Sequence, residues 1–538
     1  MGRGRRAAAV SDHGKASSMK RIVFLLLCVA SAWAAETPRR GGTLHLLMAS
    51  DWRNLDPAIA YDSESTPLDK LLFRGLLDYG DGNDVVPSQA SDWNVSADGK
   101  TYRFHLRPGV KFSHGREVEA ADYVFSLERI LDPKTGSPGQ SLYLDIVGAP
   151  EFAAGKTPHV AGLLAPDRGT LVIELSRPCY IFRYLMTLGF AAALPREVVV
   201  RHGKDFQYHM EGSGPYRVAE WRRGARWRFE RNPHYAGTDG WFDAVEIMIG
   251  GDAMLAAMMV ERGEIDVCRA GAATRIRFQR DPRLRSWLHA VTPCNTCYLF
   301  LNTEMKPFDD ARVRRAMNHA VDRRRLEKLM AGDAVGAEGV VPESMPWSNP
   351  GRPRYAFDPE RARALLREAE MPDGFKTEMW YTMGRGLDER LAQGLQQDLR
   401  NVGITVELKP TAFAAYFDKA QTRRQVPCGL FGWYQDYPDP STFLDTLLNG
   451  DRITEENCNN QAFYNNPEVN RRLNEASRIV DGDRRLQLFR EAEDLAIRDA
   501  PWVTLYSDRL TVICHPRLRG DVPHPVWGWR YENMWLAE

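Results

Sequence analysis

The sequence predicts an α/β protein built from layered, open sheets and divided into at least two lobes. Three observations carry this reading. Strand-like and helix-like segments alternate along the chain without an internal repeat or a low-complexity linker. At 538 residues the chain exceeds what one hydrophobic core usually serves. Helical patterns end on a turn residue and lead directly into apolar strands, an order that builds open sheets with ligand crevices beyond the strand ends.

Residues 1–34 read as an export signal rather than as part of the fold. Met19-Lys20-Arg21 gives a basic start, Ile22 to Ala30 an apolar core, and Ala32-Trp33-Ala34 a small-residue pattern for cleavage after Ala34. Met1 and Met19 are alternative starts. Only six apolar residues separate Arg21 from Cys28, and Leu27 rather than Gly or Ala precedes it, which argues against a lipid anchor. No other run approaches the roughly 18 apolar residues of a membrane span, so the exported chain is expected to be soluble.

The whole chain carries 71 basic and 71 acidic side chains, and the signal holds six of the former and one of the latter, so the mature part is mildly acidic. Lys and Arg are dispersed rather than gathered in a stripe, which speaks against a nucleic acid partner. Arg314-Arg315 and Arg323-Arg324-Arg325 are expected on the solvated face of a helix.

Gly41 to Leu47 opens the fold as a strand. Thr101 to Leu106 alternates apolar and polar residues before a Pro108-Gly109 turn into Val110-Lys111-Phe112, which predicts a hairpin. Phe308 to Met330 has Val313, Ala316, Met317, Ala320, Val321 and Leu326 mostly at three- and four-residue steps, with Asp309 as candidate cap, and predicts one amphipathic helix. A further helix is expected from Asp358-Pro359. Leu387 to Val402 reads as a helix closing on Gly403, followed by the strand Ile404 to Leu408.

Seven cysteines follow the signal: Cys179, Cys268, Cys294, Cys297, Cys428, Cys458 and Cys514. An odd count leaves at least one unpaired. Cys294-x-x-Cys297 has no second pair to complete a zinc site, and Tyr298 to Leu301 after it reads as a strand, so structural cysteines are expected. The sequence holds no HExxH, no GxSxG and no complete phosphate loop. The histidines stand singly, so no metal, cofactor or catalytic residue is assigned.

The most informative stretch is Gly432-Trp433-Tyr434-Gln435-Asp436-Tyr437-Pro438-Asp439-Pro440. Gly429-Leu430-Phe431 leads in as a buried strand, and the two prolines break it and stiffen its exit. Asp436 then falls at a strand end between Trp433, Tyr434 and Tyr437. A carboxylate partly removed from water stays ionised only beside a partner, which here is an arginine, a lysine or the ammonium of a ligand. The alternative is that Asp436 caps the turn or the following helix.

Several segments together resemble the family 5 solute-binding proteins of ABC importers, the oligopeptide/dipeptide-binding family. They are Gly41-Gly42-Thr43-Leu44, Leu55-Asp56-Pro57, Leu72 to Leu76 and Asp98 to Phe112. In the same order follow Gly212 to Tyr216, Leu301-Asn302-Thr303, Pro307 to Asp310 and Arg312 to Ala316. The resemblance implies a two-lobed periplasmic-binding-protein-like clamshell, type II and cluster C-like, with an extra N-terminal subdomain. It also implies the division: 1–34 signal peptide, 35–290 first lobe with the extra subdomain at about 80–200, 291–499 second lobe, and 500–538 returning to the first lobe. By the same resemblance Asp436 holds a peptide's free α-amino group, Gly432 and Tyr61 mark backbone that pairs with the ligand, and Trp433, Tyr434 and Tyr437 line the site. The arginine that meets a dipeptide's carboxylate aligns near Thr382; Arg385 lies close and is either its substitute or an ordinary exposed loop arginine. The implied protein is a monomeric periplasmic receptor that hands its peptide ligand to ABC permease membrane subunits and is not an enzyme. The same fold also serves nickel complexes, haem, sugars or opine-like metabolites. A secreted hydrolase would need a nucleophile with a positioned base, and none stands out.

Overall fold

The computed structural model describes residues 37–48, 51, 54–60, 65–80, 82–345, 347–384, 386–479, 482–520, 524, 526 and 528–537. The export segment, Tyr61 and Arg385 lie outside the described residues. The fold is two-lobed α/β, and its largest sheet runs Ala334–Gly336, Trp502–Asp508, Asn295–Leu301, Cys428–Tyr434, Lys376–Thr382, Thr405–Thr411. Its central strand is apolar on both faces, and the two-residue period of a strand explains why. Leu299 and Leu301 enter one core with Val313, Met317 and Leu395, whereas Tyr298 and Phe300 enter another with Phe443, Leu473 and Phe489.

A four-stranded sheet places Thr43–Met48 parallel to Ala244–Ile249, followed by Arg226–Arg231 and Tyr216–Arg222. A second four-stranded sheet is formed by Ala90–Val95, Thr101–Leu106, Thr170–Glu174 and Leu163–Asp167. A three-stranded sheet, Val267–Arg269, Leu510–Cys514, Leu288–Val291, is the point of crossing. Leu288–Val291 continues within a few residues into Asn295–Leu301, and Trp502–Asp508 continues through Arg509 alone into Leu510–Cys514. Two extended segments therefore connect the three-stranded sheet to the six-stranded one. Trp502–Asp508 belongs to the six-stranded sheet, and the chain leaves that sheet at Arg509.

Local chemistry decides where the elements depart from expectation. The Thr101–Leu106 strand forms no hairpin with residues 110–112, because Ala90–Val95 and Thr170–Glu174 occupy its two edges. The segment after the Pro108-Gly109 turn folds on itself instead, with Phe112 N donating to Arg116 O at 2.9 Å and Val118 N to Val110 O at 2.8 Å. The helix expected over Phe308 to Met330 is two helices, Ala311–Ala320 and Arg323–Met330. Asp310, not Asp309, caps the first by accepting from Arg312 N at 2.8 Å. Asp322 caps the second by accepting from Arg325 N at 3.1 Å. Asp398 in turn accepts from Asp322 N at 3.1 Å, which holds the break open. Arg314 is buried rather than solvated, donating to Phe308 O and Asp499 O, both at 2.8 Å. Asp358 caps Pro359–Glu368 as expected, and Gly403 (φ 93°) turns the chain between Gly386–Arg400 and Thr405–Thr411.

All seven cysteines in the described residues are free thiols. Burial pushes the Cys179 thiol up to about 11 and those of Cys268 and Cys514 up to about 12. Few thiolates therefore exist at neutral pH. Denatured, unreduced protein lacking residues 1–34 is expected to titrate seven thiols with a disulfide exchange reagent, and the folded protein to react far more slowly. A count of five or fewer would reveal a bridge.

Candidate functional site

The strand Cys428–Tyr434 is held on one side by antiparallel pairing to Asn295–Leu301, with Asn295 opposite Tyr434, Thr296 opposite Trp433 and Cys297 opposite Gly432. Its other edge meets Lys376–Thr382 at Trp380↔Gly429. Among the described residues no strand pairs with that edge from Phe431 to Tyr434. Backbone groups of a strand edge left open in this way are a template for an added extended chain. Gly432 also answers a packing need, since a Cβ there would sit 2.9 Å from Cys297 Sγ.

Past the strand end the chain is fixed by hydrogen bonds. Gln435 N donates to Cys294 O at 2.9 Å. The hydroxyl of Thr442, fully buried in the first turn of the Ser441–Leu448 helix, accepts from Asp436 N at 3.2 Å and from Trp433 Nε1 at 3.4 Å. The same hydroxyl donates to Asp436 Oδ2 at 3.3 Å. One O–H and two lone pairs account for all three bonds, so Thr442 fixes the half-buried carboxylate and the indole together.

Asp439 takes the capping part weighed for Asp436. Its Oδ1 accepts from Ser441 N at 3.0 Å and from Ser441 Oγ at 2.6 Å, while Pro440 at the cap position has no side-chain bond to offer. Asp439 is 1% exposed and forms a two-pronged ion pair with Arg485, one prong being Arg485 Nη2 to Asp439 Oδ1 at 2.7 Å.

The aromatic residues separate. Tyr434 is 57% exposed, and its hydroxyl donates to Asp508, whose Oδ2 also accepts from Asn295 Nδ2 at 2.9 Å. Trp433 is half-buried beside it. Tyr437 is only 5% exposed and packs in the core formed by residues between Ala58 and Ala193, stacked on Tyr184 with centroids 6.2 Å apart. Gly432, Trp433, Tyr434 and Asp436 are thus brought together at one strand end, and Tyr437 is turned away into the core. Thr382, at the end of Lys376–Thr382, is buried.

Sequence reasoning missed Thr442, Asp508 and Asn295. Thr442 carried a local signal, a hydroxyl residue placed just after the prolines. Asn295 and Asp508 are joined across 213 positions, and no spacing announces them. Among the described residues no group of three or more His, Cys, Asp and Glu side chains is arranged to hold a metal ion, and no helix is long and apolar enough to cross a membrane. The site offers an open strand edge, two aromatic faces and two carboxylates, a set suited to holding an extended, cationic ligand.

Comparison with known proteins gives a consistent result. Residues 84–455 match the family described as bacterial extracellular solute-binding proteins, family 5, middle part. The heme-binding protein A of Haemophilus influenzae is 28% identical over 474 residues, covering 84% of this chain and 85% of that protein. The glutathione-binding protein GsiB of Salmonella typhi is 28% identical over 522 residues, covering 94% and 97%. The solved structure of the clavulanic acid biosynthesis oligopeptide binding protein 2 superposes with a TM-score of 0.86 at 27% identity, covering 93% of this chain and 96% of that one.

Proposed function

Because this chain belongs to family 5 of the bacterial extracellular solute-binding proteins, we propose that it is an ABC importer receptor for peptides bearing a free α-amino group. The observation that carries the reading is the half-buried Asp436 carboxylate, fixed by Thr442 immediately beyond an open strand edge. In this reading Asp436 neutralises the ligand ammonium, the backbone about Gly432 and Tyr61 pairs with the peptide main chain, and Trp433 and Tyr434 flank it. Arg385 meets the terminal carboxylate. Main-chain pairing makes side-chain sequence a secondary matter. The ligand is enclosed as the lobes rotate about the crossings at residues 292–294 and Arg509. Residues 1–34 direct export to the periplasm and are removed, and the monomeric receptor then delivers its cargo to membrane permease subunits without chemistry of its own.

A haem-like solute is the second reading. The heme-binding relative, 28% identical over 84% of this chain, favours it, together with the flat rings of Trp433 and Tyr434.

Native mass spectrometry of protein purified without refolding tests the choice. Retained peptide masses that disappear on denaturation are expected, and adding such a peptide should compact the particle in solution scattering and raise its melting temperature. A retained porphyrin, or scattering profiles unchanged by a tight ligand, would overturn the respective part of the proposal.

A further inference from the structure

An open pocket of about 290 Å³ lies at the crossing between the two connected sheets. Its walls include Arg275, Arg285, His289, Gly332, Arg509 and Thr511, and among the described residues no carboxylate lines it. These residues come from both sides of the crossing. His289 and Thr511 stand on paired strands of the three-stranded sheet, and Arg509 is the single residue between that sheet and the six-stranded one. Gly332 follows the end of the Arg323–Met330 helix, which packs on the six-stranded sheet.

The three arginines are not equivalent. Arg275 is buried and already used: its Nε donates to Asp333 Oδ1 at 3.2 Å, its Nη1 to Gln279 Oε1 at 3.4 Å, and its guanidinium to Ala331 O. Gly332 admits it, since a Cβ there would sit 3.0 Å from Arg275 Nη1. Asp333, the carboxylate next to the cavity, is thereby engaged, and its carbonyl accepts from Arg509 N at 2.9 Å. The side chains of Arg285 and Arg509 form no ion pair or hydrogen bond among the described residues. Two uncommitted, exposed guanidinium groups beside an open pocket, with the neighbouring acid neutralised, make an arrangement that attracts negative charge.

We propose that this cavity binds a small multivalent oxyanion through Arg285 and Arg509. Each guanidinium offers a planar fork of donors that matches a phosphate or carboxylate group, and the Thr511 hydroxyl and His289 ring add neutral hydrogen-bonding capacity. An anion held there touches segments on both sides of the crossing.

The test is calorimetric titration with inorganic phosphate, and separately with succinate, at pH 7 and constant ionic strength. The proteins are the full chain and the double variant R285Q/R509Q. Saturable binding of one of these anions, one per chain, is expected, and the preferred anion distinguishes a phosphoryl from a carboxylate ligand. Loss of the charge-assisted bonds should weaken it about tenfold or more in the double variant. Both arginines are exposed, so the variant is expected to fold; should it not, R285Q and R509Q singly must each weaken binding. Absence of saturable binding for both anions, or equal binding by wild type and variants, would overturn the proposal.

Discussion

Asp436→Asn is expected to weaken the binding of a peptide with a free amino terminus by roughly 10² to 10³-fold. Breaking a desolvated ion pair by removing one member costs about 3 to 5 kcal/mol, which converts to a change of that order in dissociation constant. Asparagine keeps an oxygen for the Thr442 hydroxyl and the backbone N–H that donates to it, so the local geometry survives. Stability should therefore change by less than about 1 kcal/mol. Calorimetric affinity and chemical denaturation of the same two proteins separate the effects. A variant that binds peptide normally but unfolds early would assign Asp436 to the fold instead of the ligand.

The second large effect concerns Asp439 and Arg485. Both are buried, the guanidinium meets the carboxylate through two nitrogens, and it also lies over Tyr180 at 4.3 Å and Phe489 at 4.6 Å. Since Tyr437 stacks on Tyr184 nearby, the pair fastens residues 437–489 onto residues 180–184. Arg485→Ala leaves a carboxylate in a low-dielectric interior and should cost about 3 to 5 kcal/mol, read from denaturation midpoints. Loss below about 1 kcal/mol would show that water reaches the site. Burial alone raises the Asp439 carboxyl, and the Arg485 charge with its hydrogen bonds outweighs this, so the group sits below the ordinary carboxylate value. Its stabilisation is then fully present above the unfolded-state carboxylate range and is lost as pH falls through the lower folded value. Wild type should lose stability on acidification below about pH 4 more steeply than Asp439→Asn.

Much of this site was legible because its signals are local. The apolar run into Trp433, the two prolines and the carboxylate between rings required only neighbouring residues, and the strand stops at Tyr434, two residues before Asp436. What the sequence hid depends on distant contacts or on competition between equal candidates. Asp439, two residues before Ser441, takes the capping bonds, but its buried pairing with Arg485 joins distant positions that no local spacing announces. Tyr434 and Tyr437 are similar in sequence, yet Asp508 holds one at the surface while Tyr184 stacks on the other in the core. The apolar period runs through Val321 unbroken, so the break between two helices showed only once Asp398 was seen to bind Asp322 N. In the same way the free edges of Thr101–Leu106 looked available for a hairpin until strands from 90–95 and 170–174 took them.

The proposed recognition of a free amino terminus is tested by calorimetric titration of the wild-type protein with one peptide and its N-acetylated form. Acetylation removes the ammonium while leaving the main chain able to pair with the strand edge. The free peptide is expected to bind about 10²-fold more tightly or better, as the loss of one partner of a desolvated pair requires. Equal affinity for the two forms would contradict the ammonium anchor at Asp436 and turn the assignment toward a non-peptide solute.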